Sequence, residues 1–454
     1  MSSTSETDTK TNISLCSPRP SSGQDPKSAI LAFSQRPSDS EVPPNHVLVR
    51  VDKFGYSANN VTYQALGEHP HFRYFDFHPA PSTADGKCSP KTHGLTPVWG
   101  FGTVLRSTHP KIQDGEKVYG YLAPSRYLLL PVAPHDVNNV AFYVPRPHLP
   151  KDRRPYNQIL RCASDPQYTP TPLAEDLTML YRPLFWTSYW SEDWLNTSDY
   201  RGGVNTILLS SASSKTAFCL AYIIDKRIKK GEVDSKMRIV GLTSKKNVEF
   251  TRKLGIYQDV VSYDSFSSSL PFEKTQGQRW IYIDFAGHEE LNKKIYDYFA
   301  SPYSATLVAA IALGLTTLSP GAAKGSNMEW SMEKPAGFAS SSPASSSQGF
   351  SAAPSPSTFP PKVEQFFMPE WLDIRKRQLS VQDIVKRQNQ AWKELMQDCQ
   401  RWVELERVYG AENVLQAYRK LVKDGVGPDK GLIWSLWDGE DGVGEGKEGV
   451  RAKL

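Results

Sequence analysis

Three short apolar runs in the middle of the chain constrain its fold more than any other feature. ILLSS (residues 207–211), RIVGLTS (238–244) and WIYIDFAG (280–287) alternate with stretches of helical periodicity. Parallel strands need a crossover long enough to hold a helix, so this alternation is the pattern of βαβ units on a parallel sheet. After the first run, Ala217, Leu220, Ala221 and Ile224 fall on one face and predict a helix over residues 215–229.

The sequence before these runs has a different character. From Val47 the run VLVRVD alternates apolar and polar residues as a half-buried strand does, ending at Gly55. Between Pro97 and Val132 the pieces VWGFGTVL, EKVYGYL and RYLLLPV are separated by Gly, Pro and Asp turn signals, which predicts a compact β-rich domain. The expected class is α/β, with a β-rich domain over 29–180 and a doubly wound parallel-sheet domain over 181–318. Residues 319–361 fill with Ser, Pro, Ala and Gly and are expected to be a disordered insertion, because they hold too little large apolar surface to offset ordering entropy. Over 362–437 the reading is a long helix across 381–408, a second across 411–422, and a strand at GLIWSLW. Residues 1–28 and 438–454 are expected to be flexible tails.

With 454 residues there is room for two domains and these flexible pieces. The 53 basic and 48 acidic side chains leave a net charge of +5 with no long basic block, which argues against nucleic acid as a partner. Cys16, Cys88, Cys162, Cys219 and Cys399 are too scattered for a disulfide framework or a metal knuckle, so a reducing compartment is expected. The polar N-terminal stretch has no apolar core for a signal, and the longest apolar run, 307–315, is far shorter than a membrane span. The expectation is a cytoplasmic protein that acts on a small molecule, with no membrane partner.

The segment ILLSSASSKTAFCLAYIIDKR carries the most chemistry. A buried strand runs through small residues into a helix, which aims backbone N–H groups and the helix dipole at whatever lies in the turn. Ser211, Ser214 and Ala217 stand roughly where a dinucleotide-binding turn has its three glycines. Hydroxyls of Ser211, Ser213, Ser214 and Thr216, with the charge of Lys215, are candidates to meet a pyrophosphate. An ordinary helix cap by Ser213 or Ser214 explains the turn equally well. The second strand ends in Thr243, Ser244, Lys245 and Lys246, where an NAD site usually places an acidic residue for the ribose hydroxyls. Hydroxyls and cations suit a 2′-phosphate, which favours NADP(H). The alternative is that Lys245 and Lys246 are solvated residues of the following helix.

The order of pieces resembles the quinone-oxidoreductase branch of the medium-chain dehydrogenase/reductase superfamily, and more narrowly the DUF2855 family. The carrying segments are NHVLVRVDKFGYSANNVTYQALG, WGFGTVLRSTHPKIQDGEKVYGYL, ILLSSASSKTA, GLTSKKNVEFTRKLGIYQDVVSYD and YIDFAG. The resemblance implies a GroES-like β domain, closed by a segment that returns after a Rossmann domain, with the nucleotide between the two. It also implies that residues 211–217 match the pyrophosphate turn. Lys246 and Tyr263 would match the 2′-phosphate end, and Phe285, Ala286 and Gly287 the wrap of the nicotinamide ribose. Related folds often dimerise through the Rossmann sheet edge, so a homodimer is an open option.

Zinc-dependent relatives place a Cys just after the glycine that ends the first strand, where this chain has Ser57, and they carry four closely spaced Cys that it lacks. His69 and His71 have no Cys or carboxylate partners in sequence and are read as loop residues. No metal is expected. The implied chemistry is hydride transfer from NADPH to an enone- or quinone-like acceptor, with a hydrogen-bond donor for the developing negative charge. Candidate catalytic donors are Ser57, Asn60, Tyr63 and Thr187. Tyr181, Phe185, Trp186, Tyr189 and Trp190 could wall a substrate pocket or pack a core. Two alternatives remain open: a nucleotide-binding or cofactor-free scaffold without turnover, and an enoyl reductase working on a carrier-bound chain.

Overall fold

The computed structural model describes residues 10–70, 72–313 and 361–439. The chain divides into two compact units, one of Met1–Leu180, Glu404–Val426 and Lys430–Leu454, the other of Tyr181–Val403 and Gly427–Asp429.

The first unit opens with strands β1 (Thr11–Pro18) and β2 (Ile30–Gln35), paired antiparallel. A flexible tail was expected to cover 1–28, yet 11–18 is a strand. Ile13, Leu15 and Cys16 are buried in the same core as Val47 and Val49, and the strand's remaining polar groups find partners: Ser14 Oγ lies 2.7 Å from Ser125 Oγ. Long-range packing outweighs a locally polar composition. Next come β3 (His46–Tyr56), α1 (Ala58–Ala65), β4 (His93–Gly94), β5 (Val98–Ser107), β6 (Lys117–Leu122), β7 (Tyr127–Pro131), β8 (Ala141–Tyr143), α2 (Arg154–Asn157) and β9 (Gln158–Arg161). The pieces expected between Pro97 and Val132 are β5, β6 and β7. Helix α3 (Pro172–Asn196) carries the chain into the second unit.

The second unit contains α4 (Asp199–Gly202), β10 (Thr206–Leu209), α5 (Lys215–Lys229), β11 (Arg238–Thr243), α6 (Val248–Lys253), β12 (Asp259–Ser262), β13 (Arg279–Asp284), α7 (Glu289–Phe299), β14 (Thr306–Ala312), β15 (Val363–Gln365), α8 (Met368–Gln378) and α9 (Val381–Asp398). Its six strands lie in the order β12-β11-β10-β13-β14-β15, and every neighbouring pair is parallel. The order reverses between β10 and β13. In open α/β sheets that switch point is where ligands bind, beyond the carboxyl ends of the strands.

The chain then leaves through β16 (Glu404–Tyr409), α10 (Ala411–Asp424) and β17 (Lys430–Ser435). Strand β17 pairs antiparallel with β3, completing an eight-stranded sheet in the first unit and bearing out the expected strand at GLIWSLW. Two features differ from the sequence reading. The long helix expected over 381–408 stops at Asp398, and ELERVY becomes β16, parallel to β17; ladder hydrogen bonds override a helix-compatible local sequence. Residues 362–403, expected to return with the β-rich domain, belong to the second unit. There Trp371, Ile384 and Trp190 share an apolar cluster, and the Trp402 ring lies 5.6 Å from Phe218. The insertion expected at 319–361 and the tail at 438–454 fall almost wholly outside the described residues.

Candidate functional site

The carboxyl end of β10 builds the site. After Leu209 the chain turns through Ser211, whose φ of 49° is left-handed, a conformation that favours glycine. A serine therefore holds a backbone geometry that glycine adopts more readily. The Ser211 N–H donates to Tyr263 Oη at 2.9 Å, and Ser214 N–H to the Ser211 carbonyl at 2.8 Å. Burial pushes the Tyr263 phenol up to about 12, so the hydroxyl stays protonated. Ser214 is the N-cap of α5, its Oγ accepting from Ala217 N–H at 3.4 Å. The capping reading of this turn is therefore correct for Ser214, and it leaves the first turn of α5 facing the sheet end.

Ser213 joins the turn to the second strand. Its Oγ accepts from Thr243 Oγ1 and from Asn247 Nδ2, each at 3.1 Å. Close approach here depends on Gly241: a Cβ at that position would stand 2.8 Å from the Cβ of Ala212 and 3.0 Å from the Tyr257 ring. Tyr257 Oη in turn donates to the Ala212 carbonyl at 2.9 Å. Beyond Thr243 lie Ser244, whose buried Oγ has no hydrogen-bonding partner among the described residues, and the exposed Lys245 and Lys246. Lys215 Nζ lies 3.2 Å from the Pro428 carbonyl, and desolvation pulls its ammonium down to about 8 although the side chain keeps an edge in solvent. The Thr216 carbonyl accepts from Ser188 Oγ of α3 at 2.7 Å.

On the other side of the switch point, a buried carboxylate that sequence reasoning did not single out organises the end of β13. Asp284 accepts from Ser210 Oγ at 2.6 Å, Ala286 N–H at 2.8 Å, Gly287 N–H at 3.1 Å and Asn292 Nδ2 at 2.8 Å. Ser210 Oγ also receives the N–H groups of Phe285 and Ala286, at 2.8 and 3.0 Å. The strand-ending Asp in WIYIDFAG was the signal available; its partner Ser210 lies 74 positions away and is fixed only by the sheet.

The structure thus brings Ser211, Ser213, Thr243, Tyr263, Phe285, Ala286 and Gly287 to one end of one sheet. The candidate donors are placed separately. Ser57, Asn60 and Tyr63 all lie on α1 or at its N-cap in the first unit. Ser57 is its N-cap in a capping box, its N–H donating to Asn60 Oδ1 at 2.9 Å. Asn60 Nδ2 donates to the Pro97 carbonyl at 2.9 Å, and Tyr63 Oη accepts from Asn59 Nδ2 at 2.7 Å. In the second unit, Thr187 Oγ1 bonds the Pro183 carbonyl of its own helix at 3.2 Å. Of the aromatic run, Phe185 and Trp186 each lie 6.0 Å from the Trp392 ring, so core packing accounts for them. His71 lies outside the described residues. Among the described residues no three His, Cys, Asp or Glu side chains form a metal-binding group, and no helix is long and apolar enough to cross a membrane.

Several solved structures are similar to this chain. CurA from Vibrio vulnificus, in complex with NADPH, matches with a TM-score of 0.50 at 11% identity, over 93% of this chain and 98% of that one. The quinone oxidoreductase from Coxiella burnetii gives 0.48 at 12% identity, over 94% and 99%. The yhdH oxidoreductase from Salmonella enterica, in complex with NADP, gives 0.44 at 13% identity, over 93% and 99%. The likeness to CurA establishes the fold: a GroES-like β-rich domain with a doubly wound Rossmann domain. The chain belongs to DUF2855, a family of proteins of unknown function whose profile matches residues 54–427. Among curated proteins no sequence matches it.

Proposed function

We propose that this protein is an NADPH-dependent oxidoreductase that works without zinc on an enone- or quinone-like small molecule. The observation that carries the reading is at the end of β11, where the buried, unpartnered Ser244 Oγ is followed by the exposed cations Lys245 and Lys246. A hydroxyl donor beside two ammonium groups fits a 2′-phosphate, and the segment Thr243–Asn247 has no acidic residue to meet bare ribose hydroxyls. The first turn of α5 and the rigid 211–217 turn would hold the pyrophosphate. The dinucleotide, when bound, supplies the hydride. The Phe285–Gly287 backbone, locked by Asp284 and Ser210, would set the position of the nicotinamide ribose. The zinc-free part of the reading rests on Ser57, which stands in the place of a ligand Cys and spends its polar groups on capping α1. All five cysteines are buried and unbridged, in keeping with a reducing, cytoplasmic setting.

A second reading is a scaffold that kept the fold and lost turnover. It is favoured by the turn's internal hydrogen bonds, above all the Ser211 N–H engaged by Tyr263. Titration with NADPH and NADH, followed by nicotinamide fluorescence, separates the two. Wild type should bind NADPH at least about ten-fold more tightly than NADH, a difference of ~1.4 kcal/mol. Lys246→Ala should remove most of that preference, and Ser214→Asp should weaken both nucleotides by placing a negative charge at the helix start. If neither nucleotide binds to wild type, the scaffold reading replaces the oxidoreductase.

A further inference from the structure

The β-rich unit buries two thiols against each other. From Pro81 to Thr92 the chain is a surface loop in which Cys88 alone is buried. That one side chain enters the same apolar core as Cys16 of β1. Main-chain bonds fix the approach of the two segments. Ser17, next to Cys16, pairs with Gly94 of β4, and the Arg19 N–H donates to the Thr92 carbonyl at 3.0 Å. Within the loop, the Thr83 N–H donates to the Cys88 carbonyl and the Cys88 N–H to Thr83 Oγ1, each at 3.0 Å. The two thiols are in side-chain contact, and both are free.

The pair is not symmetric. Contact with Cys88, together with burial, pushes the Cys16 thiol well up, and the Ser14 carbonyl lies 3.7 Å from Cys16 Sγ as an acceptor for its proton. The same contact pulls the Cys88 thiol down, against burial and the charge of Asp85. Cys88 is therefore the readier thiolate, the form that attacks an oxidant, and a protonated thiol stands beside it. Access favours Cys88 as well. Ala84, Asp85, Gly86 and Lys87, just before it, are exposed, so opening of this loop alone uncovers the sulfur. In the second unit, burial pushes the Cys219 and Cys399 thiols up, which leaves them poor nucleophiles.

We propose that Cys88 and Cys16 form a reversible redox-modification site that responds to hydrogen peroxide. The Cys88 thiolate attacks one peroxide oxygen, the O–O bond breaks, and with one proton taken up the products are a sulfenic acid on Cys88 and water. Cys16 Sγ then attacks the sulfenic sulfur, its proton leaving with the hydroxyl as a second water. One S–S bond forms, two thiols are oxidised, and the peroxide is reduced to two waters. Two molecules of glutathione reverse the change by thiol exchange and leave as glutathione disulfide. The bridge fastens β1 to the loop before β4 and closes a ring of chain that holds β2, β3 and α1.

The full-length protein is treated with hydrogen peroxide, quenched with catalase, unfolded, alkylated with iodoacetamide and weighed by mass spectrometry. In wild type the five alkylatable thiols should fall to three, with a cross-linked peptide pair joining Cys16 to Cys88, and glutathione should restore all five. Cys16→Ala should form no bridge and should hold Cys88 as a sulfenic acid that dimedone traps. Cys88→Ala should lose thiols at least about ten-fold more slowly than wild type. Retention of all five thiols in treated wild type, a main product that bridges any other pair, or thiol loss at the wild-type rate in Cys88→Ala would overturn the site. In the first of these cases the two thiols serve only as small apolar side chains of the core. The wild-type count needs no variant, so a misfolded substitution leaves it decisive, and no outcome alters the oxidoreductase reading.

Discussion

The two polar clusters of the molecule differ in how fully their groups are bonded. At the end of the parallel sheet, Asp284 and Ser210 make four and three hydrogen bonds, and Ser213 Oγ accepts two. In the β-rich unit, Tyr121 Oη and Trp99 Nε1 approach the Tyr63 hydroxyl but make no hydrogen bond of good geometry among the described residues. A saturated cluster holds a backbone in one shape, and its side chains have little left to offer a ligand. An unsaturated one retains bonding capacity at a cost in stability. The first is suited to holding one end of the sheet in a single shape, and the second has little hydrogen bonding to lose when its polar atoms are removed.

The comparison breaks most readily at Asp284. Replacing it with Ala removes the acceptor of the Ser210 hydroxyl proton, the Gly287 N–H and Asn292 Nδ2, while the Ala286 N–H keeps its bond to Ser210 Oγ. Asp284→Ala should therefore cost about 3 kcal/mol or more in urea denaturation. Asp284→Asn preserves the shape and part of the bonding and should cost less. A loss below about 1 kcal/mol for Asp284→Ala would mean that the network is not what holds this end of the sheet, and the contrast with Tyr121 would collapse.

Much of the parallel-sheet unit was legible because its signals are local. The helix expected at 215–229 is found at Lys215–Lys229, and the three apolar runs are strands to within a few residues. Of the candidate site, the sequence shows which residues follow the ends of β10 and β11, Ser211 to Thr216 and Ser244 to Lys246, because they are contiguous in the chain. The site was not legible where sheet pairing does the work. Ser210 meets Asp284 across the sheet, and Trp99 meets Tyr121 only through the β5–β6 register. Strand β1 was missed because Ile13 and Leu15 are its only large apolar residues, and their burial depends on partners more than 30 positions away, such as Val47 and Val49. ELERVY was misread because a helix-compatible hexamer becomes a strand once β17 lies beside it.

Lys215 sharpens the picture of the saturated cluster by its response to pH. Desolvation holds its folded pKa near 8, below the ordinary 10.5. Between those values the unfolded chain carries a proton that the folded chain lacks, so this group makes stability rise with pH from about 8 to about 10.5. One proton corresponds to ~1.4 kcal/mol per pH unit, and the solvent-exposed edge of the side chain reduces that. Lys215→Met should flatten the rise in denaturation midpoints measured across this window. An unchanged slope would mean that the ammonium is not desolvated.

The smallest effect is expected at Ser211, where a left-handed backbone is held without a glycine. The N–H bond to Tyr263 and the carbonyl bond from Ser214 are both main-chain contacts, and glycine would keep them. Ser211→Gly removes a conformational cost of ~1–2 kcal/mol and returns part of it through the greater freedom of the unfolded chain, ~0.5–1 kcal/mol. The net should be a gain of about 0.5 kcal/mol, visible as a small rise in melting temperature. A loss of similar size would instead show that the serine side chain, which lies against the Tyr263 hydroxyl, contributes more than its strain costs. In that case the replacement of glycine by serine is itself a stabilising part of the turn, and the saturation of this cluster extends to the residue that shapes it.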